Sequence, residues 1–292
     1  MAKFFTLEKQ NCNLTVKNIH CLNLDYTLDC GQSFRWHQNE EGHWCALVSG
    51  YKNGERIDKY GELSQTRNSD GTTNITFYNT SADEFYKFWV PYFDLERDYD
   101  ALIQKYSSDP YLKAATEEYY GIRVTNQDTW ETLCSFIISQ NNNIPRIKGI
   151  IERMCETYGY RMHGELYSFP TAEDIAKLEP DDLAPLRAGF RNKYIIDAAR
   201  KVASGEVDLE KLKTLPLLDA EAELMKITGV GPKVAQCVLL YGCGREDAFP
   251  IDVWVKRIIS ELYPDGLPAS MKGTRGIAQQ YLFHWRRHRD TE

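Results

Sequence analysis

Two apolar stripes separated by a polar break restrict this chain most. Trp130, Leu133, Cys134, Ile137 and Ile138 recur at i, i+3, i+4, i+7 and i+8, the spacing of one helix face. Asn141, Asn142 and Asn143 interrupt it. Pro145 then suits a first helical turn, and Ile147, Ile150, Ile151, Met154 and Cys155 form a second stripe that Gly159 stops. Each stripe is a helix face that must be buried against another element. Asp128 followed by Glu131 predicts a capping-box-like start, because a carboxylate at each position can satisfy exposed helix-start amides.

The helical pattern continues downstream. It predicts a helix over 191–202, one capped by Asp219 through Ile227, one over 232–241, one capped by Asp252 through Leu262, and a last one near 274–287. The first third reads differently. Residues 43–49 and 72–78 are short β-branched and aromatic runs, set off by Lys52-Asn53-Gly54 and Ser69-Asp70-Gly71, which suits an antiparallel sheet. The expected fold class is therefore α+β. A small antiparallel β-rich N-terminal domain (residues 1–117) precedes a larger all-α domain (residues 118–292). A length of 292 residues accommodates two domains at roughly 100–200 residues each.

Composition narrows the function classes. Eight cysteines are scattered with no C-x-x-C pair, which argues for free thiols and against a disulfide framework or a clustered iron–sulfur site. No H-E-x-x-H pattern supports a catalytic zinc. No apolar run approaches the ~18 residues of a membrane helix. Lys3 and Glu8 interrupt the opening, so we expect no secretory leader and a cytoplasmic protein. The net charge of −7 argues against a basic, charge-driven nucleic-acid binder. The acidity sits mainly in the first third, which leaves a neutral or locally basic face elsewhere.

The most informative stretch runs from Leu224 to Cys237 and places Gly229-Val230-Gly231 between two predicted helices. The glycines permit a tight positive-φ turn. They also clear side chains away, so that backbone N–H groups can meet an anion at the start of the next helix. Contacts made by neutral amides do not require a basic protein. An ordinary αα-hairpin would look similar, so the neighbouring residues decide. Lys233 follows at a helix start, where the dipole disfavours a cation and favours the free amine that a nucleophile needs. Cys237 lies one turn on, on the same face. Asp252 is an N-cap, and backbone donors would hold its carboxylate in place and ionised. Such a carboxylate can stabilise a sugar cation during bond cleavage.

Hairpin, helix-start lysine and Pro250-Ile251-Asp252 together resemble the helix-hairpin-helix/Gly-Pro-Asp superfamily of DNA repair glycosylases, and within it the 8-oxoguanine DNA glycosylase/AP lyases. Further blocks extend the resemblance. Gly31-Gln32-Ser33-Phe34-Arg35-Trp36 is similar to the motif whose glycine carbonyl contacts the damaged base. 8-Oxoguanine carries a proton at N7 where guanine has an acceptor, so a fixed Gly31 carbonyl would separate the two. Ser139–Arg146 and Arg187–Arg191 are similar to the segments that enter the duplex. There the resemblance implies that Asn141 fills the vacated space, Phe190 wedges into the stack, and Arg146 and Arg191 hold the orphaned cytosine. In Gly276–Phe283 it implies Gln279 on the base edge, with Phe283 and Cys237 closing its two faces. Phe190 departs from the eukaryotic tyrosine and Trp254 from a phosphate-contacting histidine.

The implied activity is removal of 8-oxoguanine opposite cytosine, with strand cleavage through a Schiff base on Lys233. Gly229, Val230 and Gly231 would bind the DNA backbone, and no metal or organic cofactor is required. The implied partner is double-stranded DNA containing 8-oxoguanine, bound by a monomer at the bacterial nucleoid with no membrane involved. Glycosylases for alkylated bases typically lack the lysine, and endonuclease III-like enzymes usually carry a C-terminal cysteine cluster; this chain has no cysteine after Cys243.

Overall fold

A computed structural model describes residues 5–52 and 55–289. Six antiparallel strands form one sheet in the order β1-β2-β6-β5-β4-β3: β1 (Thr6–Gln10), β2 (Asn13–Ile19), β3 (His37–Gln38), β4 (Trp44–Lys52), β5 (Glu55–Arg67) and β6 (Thr73–Phe77). The long pairing is β4 with β5, in register Trp44↔Leu63, Ala46↔Gly61 and Val48↔Lys59. Leu14, Val16, Leu63, Ile75, Phe77 and Trp44 bury one face. A helical segment covers that face with Phe85, Phe88, Trp89 and Phe93. Rings press directly onto the sheet glycines: a Cβ at Gly50 would lie 2.5 Å from Phe88, and one at Gly61 would lie 2.6 Å from Trp89.

The two runs read from the sequence became β4 and β6. Strands β1, β2, β3 and β5 were not foreseen. β5 has glycine at a core position and charged residues along its length, so the apolar alternation that marks a strand is missing; the aromatic rings above supply the buried surface instead.

The helices that build the second core are α1 (Thr129–Ser139), α2 (Ile144–Tyr158), α3 (Asn192–Ala203), α4 (Leu217–Leu224), α5 (Pro232–Cys243), α6 (Val253–Leu262) and α7 (Arg275–Arg289). Both apolar stripes are buried throughout. Asp128 caps α1 through the Glu131 amide at 2.8 Å. The reciprocal half of the box does not form: the Glu131 carboxylate turns to Ser49 Oγ at 3.2 Å and Arg35 at 3.5 Å, joining helix to sheet. Asp219 is not a cap either. Helix α4 starts two residues earlier, after Pro216, and Asp219 lies within its first turn.

The helices at Tyr99–Tyr106 and Pro110–Glu118 pack into the helical core. Buried polar ties join the two cores. Arg123 donates to the carbonyls of Cys21 (2.8 Å) and His20 (2.9 Å). Gln32 donates to the carbonyls of Thr27 and Arg123 and accepts from the Thr125 amide. The Gly31 loop is therefore held by bonds that cross between the cores.

Candidate active site and DNA-facing hairpin

Helices α4 and α5 meet at the turn that the sequence singled out. Gly229 has φ +83°, and a Cβ there would lie 2.4 Å from the Tyr194 ring; only glycine satisfies both restrictions. Gly231 differs. Its φ is −103°, and it is the N-cap of α5. Nothing lies within 4 Å of its ideal Cβ, so its lack of a side chain leaves the backbone open to solvent. The Thr228 amide bonds Asp197 at 2.7 Å. The Val230 amide bonds the Ile227 carbonyl at 3.0 Å. Val230 is thus engaged within the turn and its side chain is buried. The amides of Gly229 and Gly231 meet no acceptor among the described residues. Burial opposes the charge of Asp197, but the Thr228 amide and Lys201 hold its pKa below the ordinary value.

A cavity of about 750 Å³ opens beside this turn. Its walls include Gly31, Asn141, Gly231, Lys233, Asp252 and Phe283, drawn from widely separated parts of the chain. Lys233 Nζ lies 3.5 Å from Ser139 Oγ and 5.1 Å above the centre of the Phe136 ring. Asp252 caps α6 through the Val255 amide at 2.8 Å. Both charges act on the Cys237 thiol. Burial pushes that thiol up to about 11, Lys233 lowers it and Asp252 raises it. Cys237 is therefore a neutral packing residue rather than a thiolate partner for the lysine.

The residues expected to bind the base are only partly brought together. Gly31 has φ +82°, and a Cβ there would lie 3.8 Å from Phe283 and 3.6 Å from Ile144. Cys237 and Gln279 are 3% and 5% exposed and stand outside the cavity wall. Of the expected pair Cys237 and Phe283, only Phe283 lines the cavity. Gln279 Oε1 is buried with no hydrogen-bond partner among the described residues. An unsatisfied buried carbonyl costs about 1–3 kcal/mol, so this side chain stands to gain from a donor. The next residue does the holding: Gln280 donates to the Cys30 carbonyl at 3.0 Å and accepts from Tyr241 at 2.5 Å.

The duplex-entering residues cluster at one rim. Asn141 adopts φ +47° and is exposed. Arg146 is exposed in the first turn of α2, and Phe190 is 51% exposed. Arg191 is turned inward in this structure. It is 3% exposed, donating to the carbonyls of Gln140 and Asn141, and to that of Ala188 at 3.0 Å. Its guanidinium also lies 4.4 Å from the Phe190 ring centre. Burial, then the neighbouring Arg146, lowers its pKa. Here Arg191 braces the loop; the cation presented to solvent is Arg146.

The sequence reading missed Ser139 and Phe136 as the lysine's neighbours, and Gln280 as the tie. Phe136 lies three residues before Ser139 on α1, and that i, i+3 spacing was the available signal. It also passed over the one-turn spacing of His284 and His288, whose rings lie 4.2 Å apart. Burial holds His284 at about 4, so it is neutral at physiological pH. Among the described residues, Glu41, His43 and Glu62 form a cluster with metal-ligand spacing. It lies on the sheet, outside the cavity, and His43 already meets Glu62 at 2.9 Å. No described helix is long and apolar enough to cross a membrane.

Residues 14–133 match the family model of the 8-oxoguanine DNA glycosylase N-terminal domain, and residues 134–274 match that of the HhH-GPD superfamily base excision DNA repair proteins. The chain belongs to the HhH-GPD superfamily, in its 8-oxoguanine glycosylase branch. This HhH-GPD protein is 31% identical to the N-glycosylase/DNA lyase of Saccharomyces cerevisiae over 260 residues, covering 81% of this chain and 67% of that protein. It is 36% identical to a DNA-3-methyladenine glycosylase of Bacillus subtilis over 175 residues, 58% of each chain. Among solved structures, the Clostridium acetobutylicum 8-oxoguanine glycosylase/lyase bound to DNA with cytosine opposite 8-oxoguanine superposes with a TM-score of 0.86. Identity there is 34%, covering 98% of each chain. MBOgg1 in complex with a low-affinity DNA ligand gives 0.85 at 39% identity, covering 98% of this chain and 99% of that one.

Proposed function

We propose that this protein is a base-excision-repair glycosylase that removes 8-oxoguanine opposite cytosine and then cleaves the strand as an AP lyase, acting as a monomer on duplex DNA. The observation that carries the reading is one cavity shared by Lys233, Asp252 and Gly31. A nucleophile, a fixed carboxylate and a backbone carbonyl suited to an N7 proton then face one extruded nucleotide. Phe190 and Asn141 support the gap in the duplex, and Arg146 addresses the orphaned base. Arg191 reaches it only after releasing the loop carbonyls it now holds.

The Lys233 amine attacks C1′ of the deoxyribose. The glycosidic bond breaks, and its electron pair leaves with the base, which takes up a proton. Asp252 stabilises the positive charge that builds on the sugar. Loss of a proton from nitrogen and opening of the sugar ring give the Schiff base. Removal of a C2′ proton then expels the 3′ phosphate by β-elimination.

An end-labelled duplex with one 8-oxoguanine opposite cytosine, incubated with and without borohydride, tests this. Cleavage and a covalent adduct are expected. The similarity to the Bacillus subtilis enzyme favours a second reading, excision of alkylated bases. Release of 3-methyladenine with no adduct on either substrate would replace the first reading with the second.

A further inference from the structure

We propose that Ser139 is a positioning residue for the Lys233 nucleophile: its hydroxyl holds the amine so that the nitrogen lone pair, not an N–H, meets C1′ of the bound nucleotide. The inference rests on the reading of Lys233 as the attacking amine, but not on which base is removed.

Ser139 is the last residue of α1, and it lines the cavity together with Phe136 and Lys233. Its hydroxyl donates to the Phe136 carbonyl at 2.8 Å. That carbonyl belongs to the final turn of the helix, where the regular amide partners run out. The Gln140 amide, four residues on, bonds the Ile137 carbonyl instead. A hydroxyl has one proton to give, and here it is committed. Toward Lys233 Nζ, 3.5 Å away, the Ser139 oxygen therefore acts as an acceptor. The Phe136 ring offers the same nitrogen a second acceptor, with its centre 5.1 Å from Nζ, because the face of an aromatic ring is electron-rich and attracts an N–H. Both acceptors belong to one turn of α1. A free amine has two hydrogens, and the hydroxyl oxygen and the ring face account for both. The remaining direction at nitrogen is its lone pair, which is the part that bonds to C1′. The kind of acceptor matters as well. Among the described residues Lys233 makes no ion pair with Asp252, whose carboxylate caps α6 through the Val255 amide. Cys237, which also senses Lys233, is kept a neutral thiol by burial. A carboxylate or thiolate in contact would favour the ammonium, which has no lone pair. A neutral hydroxyl orients the nitrogen with a much weaker hold on its charge.

Single-turnover borohydride trapping on a duplex with a preformed abasic site tests this. There the amine adds to the ring-opened C1′ aldehyde, water leaves as the C=N bond forms, and borohydride delivers hydride to C1′ while nitrogen takes a proton. Ser139→Ala should slow trapping roughly 10-fold, the effect of losing one orienting hydrogen bond. Its affinity for a duplex with a stable abasic analogue, read by fluorescence anisotropy, should stay within about 2-fold of wild type, because the interaction serves the chemical step. Ser139→Thr keeps a hydroxyl that can bond the carbonyl three residues back, and should trap within about 3-fold of wild type. Trapping by Ser139→Ala at the wild-type rate would overturn the proposal. So would a loss of affinity as large as its loss of rate, which would make Ser139 a DNA contact. Ser139→Thr as slow as Ser139→Ala would overturn it too, because the hydroxyl would then be irrelevant. Thermal melting of each variant reports its fold. A wild type that traps on the abasic duplex but leaves 8-oxoguanine in place would count against the base assignment, and the trapping rates would still judge Ser139.

Discussion

The two hairpin glycines should fail in opposite ways. Gly229→Ala places a Cβ at φ +83° and 2.4 Å from the Tyr194 ring. The left-handed conformation costs an L-residue about 1–2 kcal/mol, and an extra methyl forced against packed atoms costs about 1–3 kcal/mol. The sum is a destabilisation of about 2–5 kcal/mol. Gly231→Ala places its Cβ in open space at an ordinary φ, so the fold should lose less than about 1 kcal/mol. That methyl instead stands where a phosphate would approach the Gly231 amide, and DNA affinity should drop. Urea unfolding measures the first effect and a duplex titration the second. A Tyr194→Ala background separates the parts: it should relieve the steric share of Gly229→Ala and leave the backbone share of about 1–2 kcal/mol. A Gly229→Ala protein as stable as wild type would refute the argument, as would a Gly231→Ala protein that unfolds early but binds DNA normally.

Further outcomes concern the catalytic pair, pH and thiol reactivity. Lys233→Gln should abolish strand cleavage and the borohydride adduct while the melting curve is kept. Asp252→Asn should also keep its stability, because asparagine caps a helix about as well as aspartate, yet slow single-turnover base release by roughly 100-fold. A melting temperature that falls with the rate would assign Asp252 to capping alone. The lowered pKa of Asp197 means that its contribution is complete above the ordinary carboxylate range. That contribution is lost as pH falls through about 4 and below. The stability gap between wild type and Asp197→Asn should therefore close on acidification, as chemical denaturation at stepped pH would show. Cys237, at about 11, should resist iodoacetamide at pH 7.5 while exposed Cys12 is alkylated, as peptide mass spectrometry would report.

The helical half was legible because its apolar residues keep a strict period. Asp128 and Asp252, both read as helix starts, cap their helices through side-chain bonds. The sheet was less legible because Gly50 and Gly61 take their buried surface from Phe88 and Trp89, residues of another element. At the site, Lys233, Asp252 and Gly31 carry a signal in their own neighbourhoods. Ser139 and Gln280 do not, because each matters only through what the fold places opposite it. Arg191 shows the converse. The resemblance implied a reader of bases, and its depth in the loop is a property no local pattern records.

The tie made by Gln280 has a consequence for the order in which the chain is made. It joins the Cys30 carbonyl, next to Gly31, to Tyr241 on the lysine helix, and it belongs to α7. The hairpin with Lys233 and Asp252 leaves the ribosome before α7 does. A growing chain thus carries the proposed nucleophile before the helix that ties down the Gly31 loop and brings Gln279 and Phe283. On the proposed reading, the residues for bond cleavage are made ahead of those for base selection, and α7 joins the two sets.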